Sequence, residues 1–166
     1  MLIRPETSID YLAVQTINID VFAHHPFSHQ TEHLIVKALR DSNALTISLV
    51  AEDQGLVVGH IAFSPALING ADLNWFTLGP VAVTPDRQNQ GIGSLLIKDG
   101  LNALHQRGAH GCLLVGDPNY YKRFGFVHSQ ILGVQAVPAE YFMCLSFTNE
   151  IPEGVVTFHP AFSVTA

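Results

Sequence analysis

Three groups of residues in this 166-residue chain have types and spacings suited to chemistry. The first is Arg87-Gln88-Asn89-Gln90-Gly91-Ile92-Gly93-Ser94, a polar, glycine-containing turn. It follows a short apolar run, Val81-Ala82-Val83, and precedes a stretch in which Ile92, Leu95, Leu96, Leu101 and Leu104 recur at helical spacing. The first N–H groups of a helix have no partner within it and carry the positive end of its dipole, so a strand, a glycine turn and a helix in that order suit a phosphate. Gly91 and Gly93 let an anion reach the main chain, and Arg87 offers a mobile cation beside the turn. The spacing matches neither G-x-x-x-x-G-K-[ST] nor G-x-G-x-x-G, which excludes two known phosphate loops, while a plain tight connection remains compatible with it. The second group is Tyr120, Tyr121 and Arg123, placed after an Asp117-Pro118 helix start. A phenol can donate a hydrogen bond while neutral at pH 7. The third is His24, His25, His29 and His33. Positions 25, 29 and 33 would share one face of a continuous helix, but Pro26 interrupts it and no Cys or carboxylate set with zinc-like spacing accompanies them, so the expectation is a polar connector and no metal.

The elements that must hold these groups can be read in outline. A short strand is expected at residues 2–5, a helix from about Ser8 to His24 with a stripe of Tyr11, Val14, Ile17, Ile19, Val21 and Phe22, and a second helix from Thr31 to Arg40. Leu45 to Glu52 and Leu56 to Ser64 form a hairpin about Asp53-Gln54-Gly55, and Leu73 to Val83 is the next strand. Pro80 cannot donate a ladder hydrogen bond, which predicts a bulge or interruption there. Gly111 to Val115 is wholly apolar and should run parallel to the Val81 strand, because the helix between them makes a crossover. Further strands are expected from Gly125-Phe126-Val127 and over Tyr141 to Phe147, and the tail Val155 to Phe158 could pair between subunits or close one domain.

Gln88-Asn89-Gln90-Gly91-Ile92-Gly93 resembles the Q/R-x-x-G-x-G/A signature of the GNAT family of acyl-CoA-dependent N-acyltransferases, with Gly79 to Val83 similar to that family's fourth strand. Independently, Gly116-Asp117-Pro118-Asn119-Tyr120-Tyr121-Lys122-Arg123-Phe124-Gly125-Phe126 resembles a segment of the family's YhbS-like branch. Val21-Phe22, Glu32 to Arg40, Val58 to Ile61 and His159 to Phe162 extend the likeness nearly end to end. The resemblance implies one domain over residues 1–166 of the α/β (α+β) class: a mixed, mostly antiparallel sheet with a parallel, splayed strand pair, flanked by about four helices. It implies acetyl-CoA as co-substrate, with the pantetheine arm against the main chain of Val81, Ala82 and Val83 and the phosphates on residues 87 to 94. It implies transfer of an acetyl group to a primary amine by direct attack, and Tyr121 as the acid for the departing thiolate. The family's connector between the first two helices borders the acceptor cleft, so His24, His25 and Glu32 are candidates for shaping it. Asn89 stands where the family often has Gly, and Asn tolerates left-handed φ.

An alkyl ammonium near pKa 10.4 must lose a proton before it attacks, and Glu32, Glu52, His60 and His128 are the candidate bases. A CoA-binding sensor without turnover is the alternative from another class.

Composition limits the partners. Eight Lys plus Arg against fourteen Asp plus Glu, with no basic stripe, disfavours nucleic acid and suits a small-molecule or peptide amine. No apolar run reaches the roughly 18 residues of a membrane span and no signal-peptide pattern opens the chain, which predicts a soluble, cytoplasmic protein away from membranes. Cys112 and Cys144 lie in apolar runs and are expected as buried thiols. The sequence leaves the oligomeric state open, with a homodimer offered only by analogy to the family.

Overall fold

The computed structural model describes residues 1–165. Strands β1 (Leu2–Pro5), β2 (Ile47–Asp53), β3 (Leu56–Ile68), β4 (Ala71–Val83), β5 (Gly111–Val115) and β7 (Phe142–Ser146) lie side by side in that order. Every neighbouring pair in that row is antiparallel except β4 with β5. Helices α1 (Tyr11–Phe22) and α2 (Glu32–Asp41) precede β2, α3 (Ile92–Gln106) crosses from β4 to β5, and the one-turn α4 (Pro118–Tyr121) follows β5. The tail strand β8 (Gly154–Phe158) pairs with β3 of the same chain and with the two-residue β6 (Leu132–Gly133), so the tail completes the sheet rather than leaving it.

β3 runs past the predicted end at Ser64 because its edge changes partner. β2 pairs with it up to Phe63, β8 takes over from Ala66, and Pro65 falls between the two, where its missing N–H interrupts no ladder on that side. The Gly125 to Val127 strand does not form. Val127 makes one isolated bridge to Cys144, and the Ser129 hydroxyl then accepts from the Ile131 and Leu132 N–H groups, turning the chain away.

Helix α3 packs on one face of the sheet through Ile92, Leu96, Ile97, Gly100, Leu101 and Leu104. Leu95, expected inward, is 44% exposed. The buried arc is centred on Leu96, Gly100 and Leu104, and Gly100 bears no side chain that would mark it in the sequence. A Cβ at Gly100 would lie 2.3 Å from the Phe63 ring. Gly100→Ala is therefore expected to destabilise the fold by about 1–3 kcal/mol despite the better helix propensity of alanine, a sign that urea unfolding reads directly. On the other face α1 buries Val14, Ile17 and Asn18, while Tyr11 and Ile19 of the predicted stripe are exposed.

Candidate active site

The β4 to β5 ladder is short. Trp75, Phe76 and Thr77 pair with Gly111, Cys112 and Leu113, and no pairing follows towards the C-terminal ends. The cause lies in β4. Its register against β3 jumps between Ile61↔Val81 and Phe63↔Leu78, so Gly79 and Pro80, joined by a cis peptide bond, together oppose Ala62. That is the bulge Pro80 predicted. Beyond it β4 stays with β3 while β5 stays with β7 as far as Val115↔Phe142, and a wedge opens between them.

The wedge has polar walls. Thr84 N–H donates to Val58 O at 2.9 Å, and alternation along an antiparallel ladder then directs the main-chain groups of Ala82 at His60. Those of Val81 and Val83 face the wedge. Of the three residues the resemblance singles out, Ala82 thus has its N–H and C=O committed to the sheet. Gln88 Nε2 donates to Val83 O at 3.0 Å, leaving the Val81 N–H and C=O and the Val83 N–H directed at the opening.

The turn into α3 is built by two left-handed residues, Asn89 (φ 60°) and Gly91 (φ 84°), the latter at the helix N-cap. Asn89 thus adopts the conformation for which the family often uses glycine. The first helical bond runs from Leu95 N–H to Gly91 O at 3.1 Å, so the N–H groups of Ile92, Gly93 and Ser94 point out of the helix unpaired by it. Space where a Cβ of Gly91 would stand is open to at least 4 Å. Arg87 is not the mobile cation expected. Its Nη2 holds Asp53 Oδ2 at 2.5 Å and its Nε donates to Gln90 Oε1 at 3.4 Å, bracing the turn against the β2–β3 hairpin. The Asp53 carboxyl is held below the usual carboxylate range by that guanidinium.

Asp117 accepts from Asn119 N–H at 2.9 Å and Pro118 opens α4, setting two tyrosines beside the wedge. Tyr121 stacks edge-on to Tyr120 (centroids 5.0 Å apart) and to Phe126 (6.1 Å), and its ring occupies the space a Cβ on Gly116 would need, 2.6 Å away. Burial pushes its phenol above the usual tyrosine value, so it keeps its proton at neutral pH. Tyr120 carries its hydroxyl to the turn that opens α3: a Cβ on Gly93 would lie 3.4 Å from it. Nothing in the sequence distinguishes the directions of two adjacent tyrosines in a one-turn helix.

The candidate bases are dispersed. Glu52 is ion-paired to Arg4 Nε at 2.7 Å, Glu32 accepts from the Ser28 hydroxyl, and the exposed His128 donates through Nε2 to Glu140 O at 2.8 Å. His60 is wholly buried on the face of β3 away from α3, with Nε2 2.8 Å from Ser48 Oγ. Desolvation pushes its pKa down to about 3. The unfolded chain protonates this imidazole near pH 6.5 and the folded chain does not until about 3, so stability falls as pH drops through that window. Between pH 7 and 5 the loss should be about 2 kcal/mol, and His60→Gln should remove that increment in urea unfolding measured at both pH values.

Of the connector histidines, His25 accepts from the Phe27 N–H through Nδ1 at 3.3 Å. Among the described residues no three His, Cys, Asp or Glu side chains converge as metal ligands would. Both cysteines are free and buried, and burial pushes both thiols above their usual range. No helix among the described residues is long and apolar enough to cross a membrane.

A sheet splayed at a β4 bulge, with a phosphate-type helix start on one side of the wedge and a protonated tyrosine on the other, defines an acyl-CoA N-acetyltransferase class, and sequence comparison agrees. Residues 45–128 match the family model of the acetyltransferase (GNAT) domain, and the chain belongs to that family. Within it the chain is 39% identical over 127 residues to the uncharacterized N-acetyltransferase YhbS of Escherichia coli (strain K12), spanning 76% of this chain and 73% of that one. A GNAT acetyltransferase from Brucella melitensis, crystallised with acetyl-CoA, superposes with a TM-score of 0.88 at 46% identity, covering 97% of each chain. Escherichia coli YhbS, crystallised with CoA, superposes with a TM-score of 0.89 at 31% identity, covering 99% of this chain and 93% of that one.

Proposed function

We propose that the protein transfers an acetyl group from acetyl-CoA, bound in the wedge between β4 and β5, to the amine of a small molecule or peptide. The observation that carries this reading is the wedge itself, whose β4 edge carries the Val81 main-chain groups and the Val83 N–H and leads through the Gln88 to Gly91 turn to the N–H groups of Ile92, Gly93 and Ser94 that make no helical bond. An extended pantetheine amide can pair with the first set while the diphosphate takes the second. Gln88, Asn89, Gln90 and Gly91 shape the turn, Arg87 braces it, Ala82 supports it through the sheet, and the Tyr120 hydroxyl donates to the same anion.

In the reaction, the unprotonated amine attacks the thioester carbonyl, an N–H in the Val81 to Val83 segment receives the developing oxyanion, and the C–S bond breaks as Tyr121 donates its proton to the leaving sulfur. The amine's own proton leaves through water. Support for Tyr121 comes from its match to the family tyrosine and from the burial that keeps it protonated. The same reading takes residues 1–166 as one catalytic domain, supported by the tail strand that completes the sheet. It places the protein in the cytoplasm, where acetyl-CoA is at hand. It also includes a homodimer, supported by the exposed Ile9, Leu12 and Phe27.

The test is a panel of polyamines, amino acids, amino sugars and short peptides, incubated with acetyl-CoA and read by thiol release together with mass spectrometry of the acceptor. A mass gain of one acetyl group on an amine, matched by released thiol, is expected. Thiol release with no acetylated product would contradict transfer.

A further inference from the structure

The closed end of the splayed strand pair, opposite the wedge, carries a polar cleft of its own. Asp72 to Trp75 stand at the start of β4, His110 precedes β5, and residues 148–152 run between β7 and β8; together they line an open cleft of about 840 Å³. Hydrogen bonds tie these walls to one another. Asn74, in the left-handed conformation (φ 65°), donates from Nδ2 to Gly108 O at 2.8 Å, and its C=O accepts from His110 N–H at 2.8 Å. His110 O in turn accepts from Phe147 N–H at 2.8 Å, and Ser146 Oγ donates to Glu150 O at 2.6 Å.

Two features of the lining are left without partners. The first is charge. Asp72 and Glu150 are exposed, neither is ion-paired among the described residues, and no Lys or Arg lines the cleft. One Asp72 oxygen accepts from Asn74 N–H at 2.9 Å, which leaves the other for a ligand. The second is Trp75, the single tryptophan of the chain, which is only 2% exposed. Its ring packs on the start of β5, where a Cβ on Gly111 would lie 2.4 Å from it. Among the described residues the indole Nε1–H finds no acceptor, yet it is not one of the polar atoms sealed from solvent, so this donor opens to the cleft that Trp75 lines. A buried indole N–H ordinarily has a partner, and one left open calls for an acceptor from outside the chain. Anionic walls beside an unused donor describe a ligand with a cationic end and an acceptor oxygen. A bare metal ion fits neither part: Asp72, His110 and Glu150 do not converge as metal ligands, and a metal ion cannot accept from Trp75.

We propose that this cleft binds a small organic cation, an alkylammonium that also bears a carbonyl oxygen, with Asp72 and Glu150 holding the ammonium and Trp75 Nε1–H donating to the carbonyl. Along β4, Val81 at the wedge lies roughly 20 Å from Trp75 at about 3.3 Å per residue. The ligand is therefore distinct from the amine that is acetylated, and its binding needs neither acetyl-CoA nor turnover.

With one tryptophan, the protein has one indole N–H signal in a heteronuclear NMR spectrum, and that signal sits in the cleft. Titration with N-acetylputrescine at low ionic strength should shift it saturably at millimolar concentration. Butylamine, which lacks the carbonyl, and N-butylacetamide, which lacks the charge, should each bind at least about tenfold more weakly, the scale of one charge-assisted hydrogen bond. D72N/E150Q changes two exposed side chains and should keep a cooperative thermal transition and the wild-type affinity for acetyl-CoA. Its affinity for N-acetylputrescine should fall about tenfold or more. No saturable shift of the wild-type indole signal, equal binding of the three compounds, or full affinity surviving in D72N/E150Q would overturn the assignment. So would the same indole shift produced by calcium or magnesium chloride, which would make the cleft a metal site.

Discussion

Gly91→Glu is expected to weaken acetyl-CoA binding by at least about 100-fold in a protein that still folds. The N-cap stands open where its Cβ would go, and the new carboxylate would enter the space in front of the Ile92, Gly93 and Ser94 N–H groups. Two unit charges roughly 5 Å apart repel by about 3 kcal/mol at an effective dielectric of 20, which is more than 100-fold in affinity before steric exclusion is counted. Gly91 has φ 84°, so any side chain there also adds strain of about 1–2 kcal/mol to folding. Gly91→Asn separates the two effects, because Asn tolerates that conformation and adds no charge. The Asn variant should retain most of the affinity and the Glu variant almost none, with both showing a cooperative thermal transition. An unchanged Kd in a folded Glu variant would remove the α3 start from the cofactor site.

Tyr121→Phe is expected to lower kcat by about 100-fold or more with acetyl-CoA affinity within twofold, the pattern of a group that acts when charge develops on the leaving sulfur. The ring contacts with Tyr120, Phe126 and Gly116 are conserved in Phe, so packing loss should be small. Because burial raises the Tyr121 pKa, the phenol stays protonated through neutral and mildly alkaline pH. The wild-type rate should therefore rise with pH as the acceptor amine deprotonates and show no descending limb below about pH 10. Unaltered kcat in Tyr121→Phe would deny it the acid role, and Tyr120→Phe, expected to raise the Kd for acetyl-CoA rather than lower kcat, tests the division of labour between the two.

The parts of the fold and site that were legible in the sequence are those where one residue type has few conformational options. Pro80 inside an apolar strand required a ladder defect, and the β4 bulge is found there. Asn89 and Gly91 are residue types that accept positive φ, and both use it. The α3 crossover required a parallel neighbour for β4, and β5 supplies it. What stayed hidden depends on partners distant in the chain. Arg87 reads as a free cation until the β2–β3 hairpin brings Asp53 to it. Gly100 reads as a helix weakness until Phe63 fills the space above it. Leu95 matches the apolar spacing yet falls outside an arc whose centre is that same glycine. The strand expected at Gly125 to Val127 has the right apolar residues, but a hydroxyl two positions further on turns the chain before a ladder can grow. Tyr120 and Tyr121 are indistinguishable by type, and only the one-turn helix capped by Asp117 decides which turns to the α3 start and which faces the core.

The central claim is that the wedge between β4 and β5 is a thioester site, and calorimetric titration of the CoA-stripped protein tests it most directly. Acetyl-CoA, CoA and adenosine diphosphate would be compared on the same sample. Acetyl-CoA binding at one site per chain, with adenosine diphosphate far weaker because it lacks the pantetheine arm that pairs with Val81 and Val83, is the result expected. A folded protein that binds adenosine diphosphate as well as acetyl-CoA, or binds neither, would contradict it.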